Sequence, residues 1–345
     1  MKLTGGEIYF LGEKDLKTGK DTNLVKIGLV REKESRDTWS RLLEHQTGNP
    51  RMLHVVEIVK TPVVERVETA LLGIFATRRV SGEWFYFNDI PVTDAINEAK
   101  NLSRSANKQF KDLEKAEELK SKKSSSKVVS SNDSINKLHM EYLKLNFQIK
   151  QCKETVKFIQ DILMQALKNG LEVQHIIDVQ KRKQTQLFDE DAFKAKYPKL
   201  WTQFSVSTEE MNQRFTWVGV KTANFELLKL NPELAMSLSK FESVGRNATV
   251  HISAAEKLHF LYLSILTHQA PLDWRKEFVE AKMKSACGTS SGIEGICNWN
   301  RVIEKESKID KELLREKQPK KYEEFVRLSK VSEAIILSKD LRYHI

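Results

Sequence analysis

The feature that most restricts how this chain can fold is a self-similarity in its second half. The run Lys137-Leu138-His139-Met140-Glu141-Tyr142-Leu143 returns as Lys257-Leu258-His259-Phe260-Leu261-Tyr262-Leu263, a displacement of 120 positions. Phe158 and Phe278 keep that displacement. Further on, Asp189, Phe193, Lys194, Lys196, Pro198, Lys199, Trp201 and Phe204 match Asp310, Leu314, Arg315, Lys317, Pro319, Lys320, Tyr322 and Phe325 at 121. A register held over so many residues of like type marks a repeated unit. The sequence predicts tandem modules at 134–220 and 254–345, joined by a connecting segment at 221–253. Each opens with an amphipathic helix, from apolar spacing near 3.6. A short strand follows at 176–179 or 296–299, then a helix capped by Asp189 or Asp310. A proline-led turn ends in an aromatic pair, and a last strand is expected at 214–218 or 334–337. His139 and His259 recur among apolar neighbours and read as core histidines.

The first ninety residues read differently. Residues 7–12 and 24–30 are β-type runs around a loop rich in turn residues, the pattern of a hairpin. Asp37 opens a helix with Trp39, Leu42 and Leu43 as its apolar face, ended at Gly48-Asn49-Pro50. Residues 52–59 form a strand. Thr61-Pro62 reads as the capped start of a helix, and Val64, Val67, Leu71 and Phe75 continue it. Residues 84–87 are an aromatic strand. Arg41 and His45, four apart, share a helix face. The fold class expected is α+β: a small antiparallel sheet flanked by helices, then a mostly helical tandem region with short strands.

Glu7-Ile8-Tyr9, Lys26-Ile27-Gly28, Arg41 with His45, Glu68 and the closing Gly82-Glu83-Trp84-Phe85 stand in an order that resembles the GIY-YIG nuclease family. The likeness is to its phage and bacterial branch, with a KIG second motif, and covers about residues 6–90. It implies hydrolysis of DNA phosphodiesters with one Mg2+ or Mn2+ ion. It assigns catalytic roles to Tyr9, Lys26, Arg41, His45 and Glu68. Tyr9 would orient or deprotonate the attacking water, Arg41 would bind the scissile phosphate, and His45 would assist proton transfer. Glu68 would be the metal ligand, and Asn88 a polar residue at the end of the domain. The chain departs from the family at Lys26, where most members have a second tyrosine, and at Leu72, where many relatives carry a histidine. Lys26 is expected to hold phosphate or to lower the pKa of Tyr9. A role in phage biology or antiphage defence follows from the same resemblance.

The domain plan is a nuclease unit at 1–92, a helical then Ser/Lys-rich linker at 93–133, and the two modules. A helix capped by Thr93 should run through Leu119. Beyond it the polar linker reads as a flexible tether. The net charge of +10 suits a nucleic-acid partner. Lys194, Lys196 and Lys199, with Arg315, Lys317 and Lys320, would give each module the same nucleic-acid-binding edge. The alternative is a solvated face on modules that bind another protein or each other. Three cysteines without CxxC spacing point to a reducing, cytoplasmic setting, and no apolar run reaches membrane-spanning length. Two further readings stay open: a non-catalytic DNA-binding protein that retains the nuclease fold, and a protein-interaction scaffold.

Overall fold

The computed structural model describes residues 3–171, 176–225, 252–330 and 332–341; most of the connecting segment expected at 221–253 lies outside them. The fold is mixed α+β. Strands β1 (Gly6–Lys14) and β2 (Asp21–Arg31) form the expected hairpin, and β3 (Met52–Thr61) lies on the other side of β1. Strands β4 (Arg79–Ser81) and β5 (Trp84–Tyr86) complete an antiparallel sheet in the order β3-β1-β2-β5-β4. Three helices belong to this unit: α1 (Thr38–Gly48), α2 (Val64–Ile74) and α3 (Val92–Leu119).

Strand alternation divides β1 between two cores. Ile8 and Phe10 enter a cluster with Val64, Val67 and Leu71 of α2 and the Ala95, Ala99 and Leu102 face of α3. Tyr9 and Leu11 lie in the other, against Val30 and Leu42 of α1. Asp37 caps α1 as expected, its carboxylate accepting from the Ser40 amide at 2.8 Å. The expected apolar face of α1 is corrected: Trp39 is 58% and Leu43 70% exposed, and only Leu42 packs inward. The sheet offers α1 so small an apolar patch that one leucine fills it. Thr61 belongs to β3, and α2 starts at Val64 with no side-chain cap. The α3 helix likewise begins at Val92, after Pro91, so Thr93 is inside it.

The second half is built on two 36-residue helices, α4 (Asp133–Lys168) and α7 (Ile252–Cys287). They run antiparallel: Tyr142 and Leu143 pack near Val279, while Ile159 and Leu163 pack near Leu258 and Tyr262. After α4 come β6 (Ile177–Arg182), β7 (Gln186–Phe188), α5 (Glu190–Lys196), α6 (Pro198–Phe204) and β8 (Ser205–Trp217). After α7 come β9 (Gly292–Ile293), β10 (Cys297–Ile309), α8 (Lys311–Lys317), α9 (Pro319–Glu323), β11 (Val326–Leu328) and β12 (Ser332–Leu337).

These strands pair reciprocally between the two segments. β8 pairs with β10, with Trp217 opposite Cys297; β12 pairs with β6, with Leu337 opposite Ile177; and β11 pairs with β7. The hydrogen bonds come in matching pairs. The Val218 amide donates to Ile296 O at 2.8 Å, and the Ser338 amide to Ile176 O at 2.7 Å. His139 Nε2 donates to Val218 O at 2.9 Å, and His259 Nε2 to Ser338 O at 2.6 Å, so both histidines are buried and satisfied. At the far end of the ribbons α5, α6, α8 and α9 form a head. Phe193, Phe204, Ile309 and Leu314 fill it, drawn from both segments. Asp189 and Asp310 cap α5 and α8 as expected, accepting from Ala192 and Leu313 amides.

The expectation of a flexible tether is also corrected. Ser125 N donates to Thr289 O at 2.8 Å, Val129 N to Gly292 O at 3.0 Å, and Glu294 N to Val129 O at 2.9 Å. The strap therefore satisfies its backbone groups on the β9 turn, and Val129 packs beside Ile293. Composition reports only what side chains bury, and here the ordering force is main-chain pairing. Arg301 of β10 locks this junction. Fully buried, it lies over the Trp299 ring at 3.9 Å. It donates to Leu119 O at the end of α3 and to Gly288 O and Ser290 O after α7. It thereby adds a charged donor to carbonyls at and just beyond the two helix ends, where Leu119 O also accepts from the Lys122 amide at 3.1 Å. Arg301→Ala should lower stability by roughly 2–4 kcal/mol, since three carbonyls lose a charged donor and a fully buried side chain is removed from beside Trp299. Urea unfolding at constant m-value checks this.

Candidate active site

β5 covers β2 only from Leu24 to Lys26. Beyond that point no strand among the described residues pairs with this edge of β2, and a cavity of about 230 Å³ opens between α1 and α2. Tyr9, Leu29, Arg31, Glu34, Arg36, Arg41, Glu68 and Glu83 line it. Three expected site residues, Tyr9, Arg41 and Glu68, thus share one cavity although 59 positions separate Tyr9 from Glu68.

Tyr9 is 1% exposed. Its ring lies across Gly28, directly opposite it in the β1–β2 register. A Cβ at position 28 would fall 2.4 Å from the Tyr9 hydroxyl, so the glycine of the second motif is what admits the phenol. That hydroxyl is 3.3 Å from His45 Nε2. Burial pushes the phenol pKa up, against the nearby Arg41 guanidinium, which pulls it down. Burial, with Lys26 and Arg41 adding to it, holds the His45 pKa down. At neutral pH the pair is a neutral phenol facing a neutral imidazole that can accept its proton. His45 also borders a neighbouring hollow with Glu44, Asn49 and Trp84.

Arg41 extends from α1 to the Tyr9 hydroxyl and also pairs with Glu44. Arg31 and Arg36 line the same mouth, paired with Glu65, Glu34 and Glu44. Such partly exposed pairs are worth under about 1 kcal/mol and exchange readily for another anion.

Glu68 is half-buried. It makes no hydrogen bond or ion pair with the described residues. Burial first, and the charge of Glu83 second, push its carboxyl up to about 7. Among the described residues no three His, Cys, Asp or Glu side chains cluster as a metal cage. Glu68 is the carboxylate here that could hold a divalent cation, with Glu83, itself paired with Lys26, near it; Mg2+ is an ion that keeps several waters and needs few protein ligands.

The residue that sequence reasoning missed is Glu83. It lines the cavity and accepts from Lys26 Nζ at 2.6 Å. Lys26 is buried beneath it, and the expectation that it lowers the Tyr9 pKa is corrected: Glu83 holds its ammonium, and the phenol pKa is raised. Glu83 stood inside the quoted Gly82-Glu83-Trp84-Phe85 segment, but nothing in sequence pairs it with Lys26, 57 residues earlier. Asn88 is exposed and outside the cavity lining. Leu72 points to the other side of α2, toward α7.

The basic residues of the head sit in the last turns of α5 and α8 and at the starts of α6 and α9. Lys196 pairs with Glu324, Lys317 with Glu316, and Lys194 lies over the Trp201 ring at 5.2 Å. Lys199, Arg315 and Lys320 are exposed. Residues 188–204 and 309–325 together hold eight basic and eight acidic side chains. No helix among the described residues is long and apolar enough to cross a membrane. Comparison with protein-family models, with curated proteins and with solved structures finds no match.

The raised carboxyl of Glu68 has a stability consequence. Its pKa in the folded state, about 7, lies above the ordinary 4.5. Its favourable contribution is complete below about pH 4.5 and is lost as pH rises through 7. Glu68→Gln should raise the unfolding temperature at pH 8 and leave it nearly unchanged at pH 5, as scanning calorimetry will read.

Proposed function

We propose that this chain is a GIY-YIG-type endonuclease that hydrolyses DNA phosphodiesters with a divalent cation, Mg2+ or Mn2+. The observation that carries the reading is the shared cavity of Tyr9, Arg41 and Glu68, with the unpaired Glu68 carboxyl raised to about 7. The five-strand antiparallel sheet with α1 on one face and α2 and α3 on the other supports it as a scaffold.

Each residue takes a role that its surroundings allow. Arg41 grips two oxygens of the scissile phosphate in exchange for Glu44. Arg31 and Arg36 draw the flanking backbone into the mouth. Water delivers its proton to the Tyr9 oxygen as Tyr9 passes its own proton to His45 Nε2, so neither group need ionise alone. Glu68 would hold the cation, which when bound would supply positive charge for the phosphoryl group under attack. Buried Lys26 and half-exposed Glu83 fix the floor of the site as an ion pair.

The second-half segments are, in this proposal, copies of one module that exchange their last strands. The paired bonds at Val218 and Ser338, and at His139 and His259, support this. The copies present the head as a contact surface. Lys194, Lys196, Lys199, Arg315, Lys317 and Lys320 would meet DNA backbone there. The charge balance of the head is a specific observation that favours a second reading for it, in which its partner is a protein.

Purified protein with supercoiled plasmid and Mg2+ or Mn2+ should yield nicked or linear DNA. Glu68→Ala, Arg41→Ala and Gly28→Ala should each lower the rate at least about 100-fold; cutting that persists in all three removes the assignment. At limiting metal the rate should climb from pH 6 to pH 8, because Glu68 must lose its proton and His45 must be neutral. A flat profile contradicts this. Charge reversal at Lys199 and Lys320 separates the two readings of the head. A weaker and flatter salt dependence of DNA binding supports phosphate contact, and unchanged binding supports a protein partner.

A further inference from the structure

We infer that α7, a helix of the second half, is a positioning element for Glu68, so that the C-terminal region sets the geometry of the catalytic carboxylate as well as making contacts of its own. The inference rests on the nuclease reading above. The helix that carries Glu68 is pinned to α7 on both sides of that residue. Five positions later, Gly73 meets Ala270 so closely that a Cβ on Gly73 would fall 2.6 Å from the Ala270 Cβ. Two positions earlier, the Arg66 side chain is only 9% exposed. It lies between Glu117 of α3 at 3.7 Å and Glu277 of α7 at 3.8 Å.

Between these pins the seam is open. A cavity of about 700 Å³ separates Thr69, Ala70 and Leu72 from Leu266 and Trp274. The Val67, Ala70 and Leu71 face of α2 shares a core with Phe278 and Ala281, and along the open part of the seam the two pins set the approach of the helices. Pro271, next to Ala270, also removes one rung from the ladder of α7 itself.

Only α7 can serve in this way. The positions of α4 that match Ala270, Trp274, Glu277 and Ala281 are Lys150, Glu154, Lys157 and Asp161, all exposed and charged. Phe278 and Ala281 of α7 instead enter the core of the nuclease unit. One of two otherwise matching helices has thus been made into the back wall of the catalytic helix. A displacement of about 1 Å at Glu68 is enough to cost on the order of 100-fold in rate.

The test uses the full chain and two readouts: Mn2+ affinity from electron paramagnetic resonance, and the rate of plasmid cutting. Gly73→Ala forces the helices apart. It should weaken Mn2+ binding about tenfold and cutting about 100-fold, while circular dichroism shows a folded protein. Ala270→Val, which adds bulk from the α7 side alone, should do the same. In Gly73→Ala combined with Ala270→Gly the nearest α7 atom to the new methyl is the Ala270 Cα, at 3.9 Å. That double variant should recover both readouts to within about threefold. It also serves if the single variant fails to fold. A folded Gly73→Ala protein with wild-type affinity and rate overturns the inference, and so does a double variant that folds but stays impaired. A wild type that binds Mn2+ no better than Glu68→Ala and leaves DNA uncut overturns the nuclease reading, and this inference with it.

Discussion

The α7 helix buries itself in two cores at once, and the rest of the molecule is arranged by that double burial. Phe278 and Ala281 close the core that holds α2 and α3 under the sheet. Leu258, Leu261, Tyr262 and Ile265 close the core shared with α4 and with Ile177 and Leu337 of the β6–β12 pair. A helix that gives both sides to apolar neighbours cannot tilt toward one without opening the other. The N-terminal α+β unit and the paired strands of the second half are therefore one body, tied again by the ordered strap at Ser125 and Val129 and by Arg301 between two helix ends. The polar residues of the site inherit their positions from this frame.

Within the frame, the chemistry follows from what is left unpaired. Glu13 has Arg51, Glu57 has Lys100, and Lys26 has Glu83. Glu68 has no such partner, faces a cavity, and lies near a second carboxylate. Burial that raises a carboxyl pKa is costly to a folded chain, and it is common where a group is kept ready for a ligand. On the opposite wall a phenol, an imidazole and a guanidinium meet because Gly28 leaves room for the Tyr9 ring.

Much of this arrangement was legible in the sequence, for local reasons. The hairpin of β1 and β2, the Asp37, Asp189 and Asp310 caps, and the strand at Trp84 follow from short-range rules that the structure obeys. The 120-residue register marked His139 and His259 as core histidines, and both are buried. What could not be read is of longer range. Trp39 and Leu43 fit helical spacing yet face solvent, because periodicity does not say how much surface a sheet offers. The Ser/Lys-rich strap looked disordered because its order comes from backbone pairing with a turn more than 150 residues away. The pairing of β8 with β10 and of β6 with β12, the Glu83–Lys26 pair and the Gly73–Ala270 approach all join residues that no local pattern connects.

The claim at the centre of this account is that Glu68 carries a carboxyl held in reserve for a cation. Its direct test is a pH titration of the Glu68 side-chain carboxyl by 13C NMR, without and with Mg2+. The account predicts a midpoint near 7 in the metal-free protein, moving lower when Mg2+ is added. A midpoint near the ordinary 4.5 that ignores Mg2+ would contradict it.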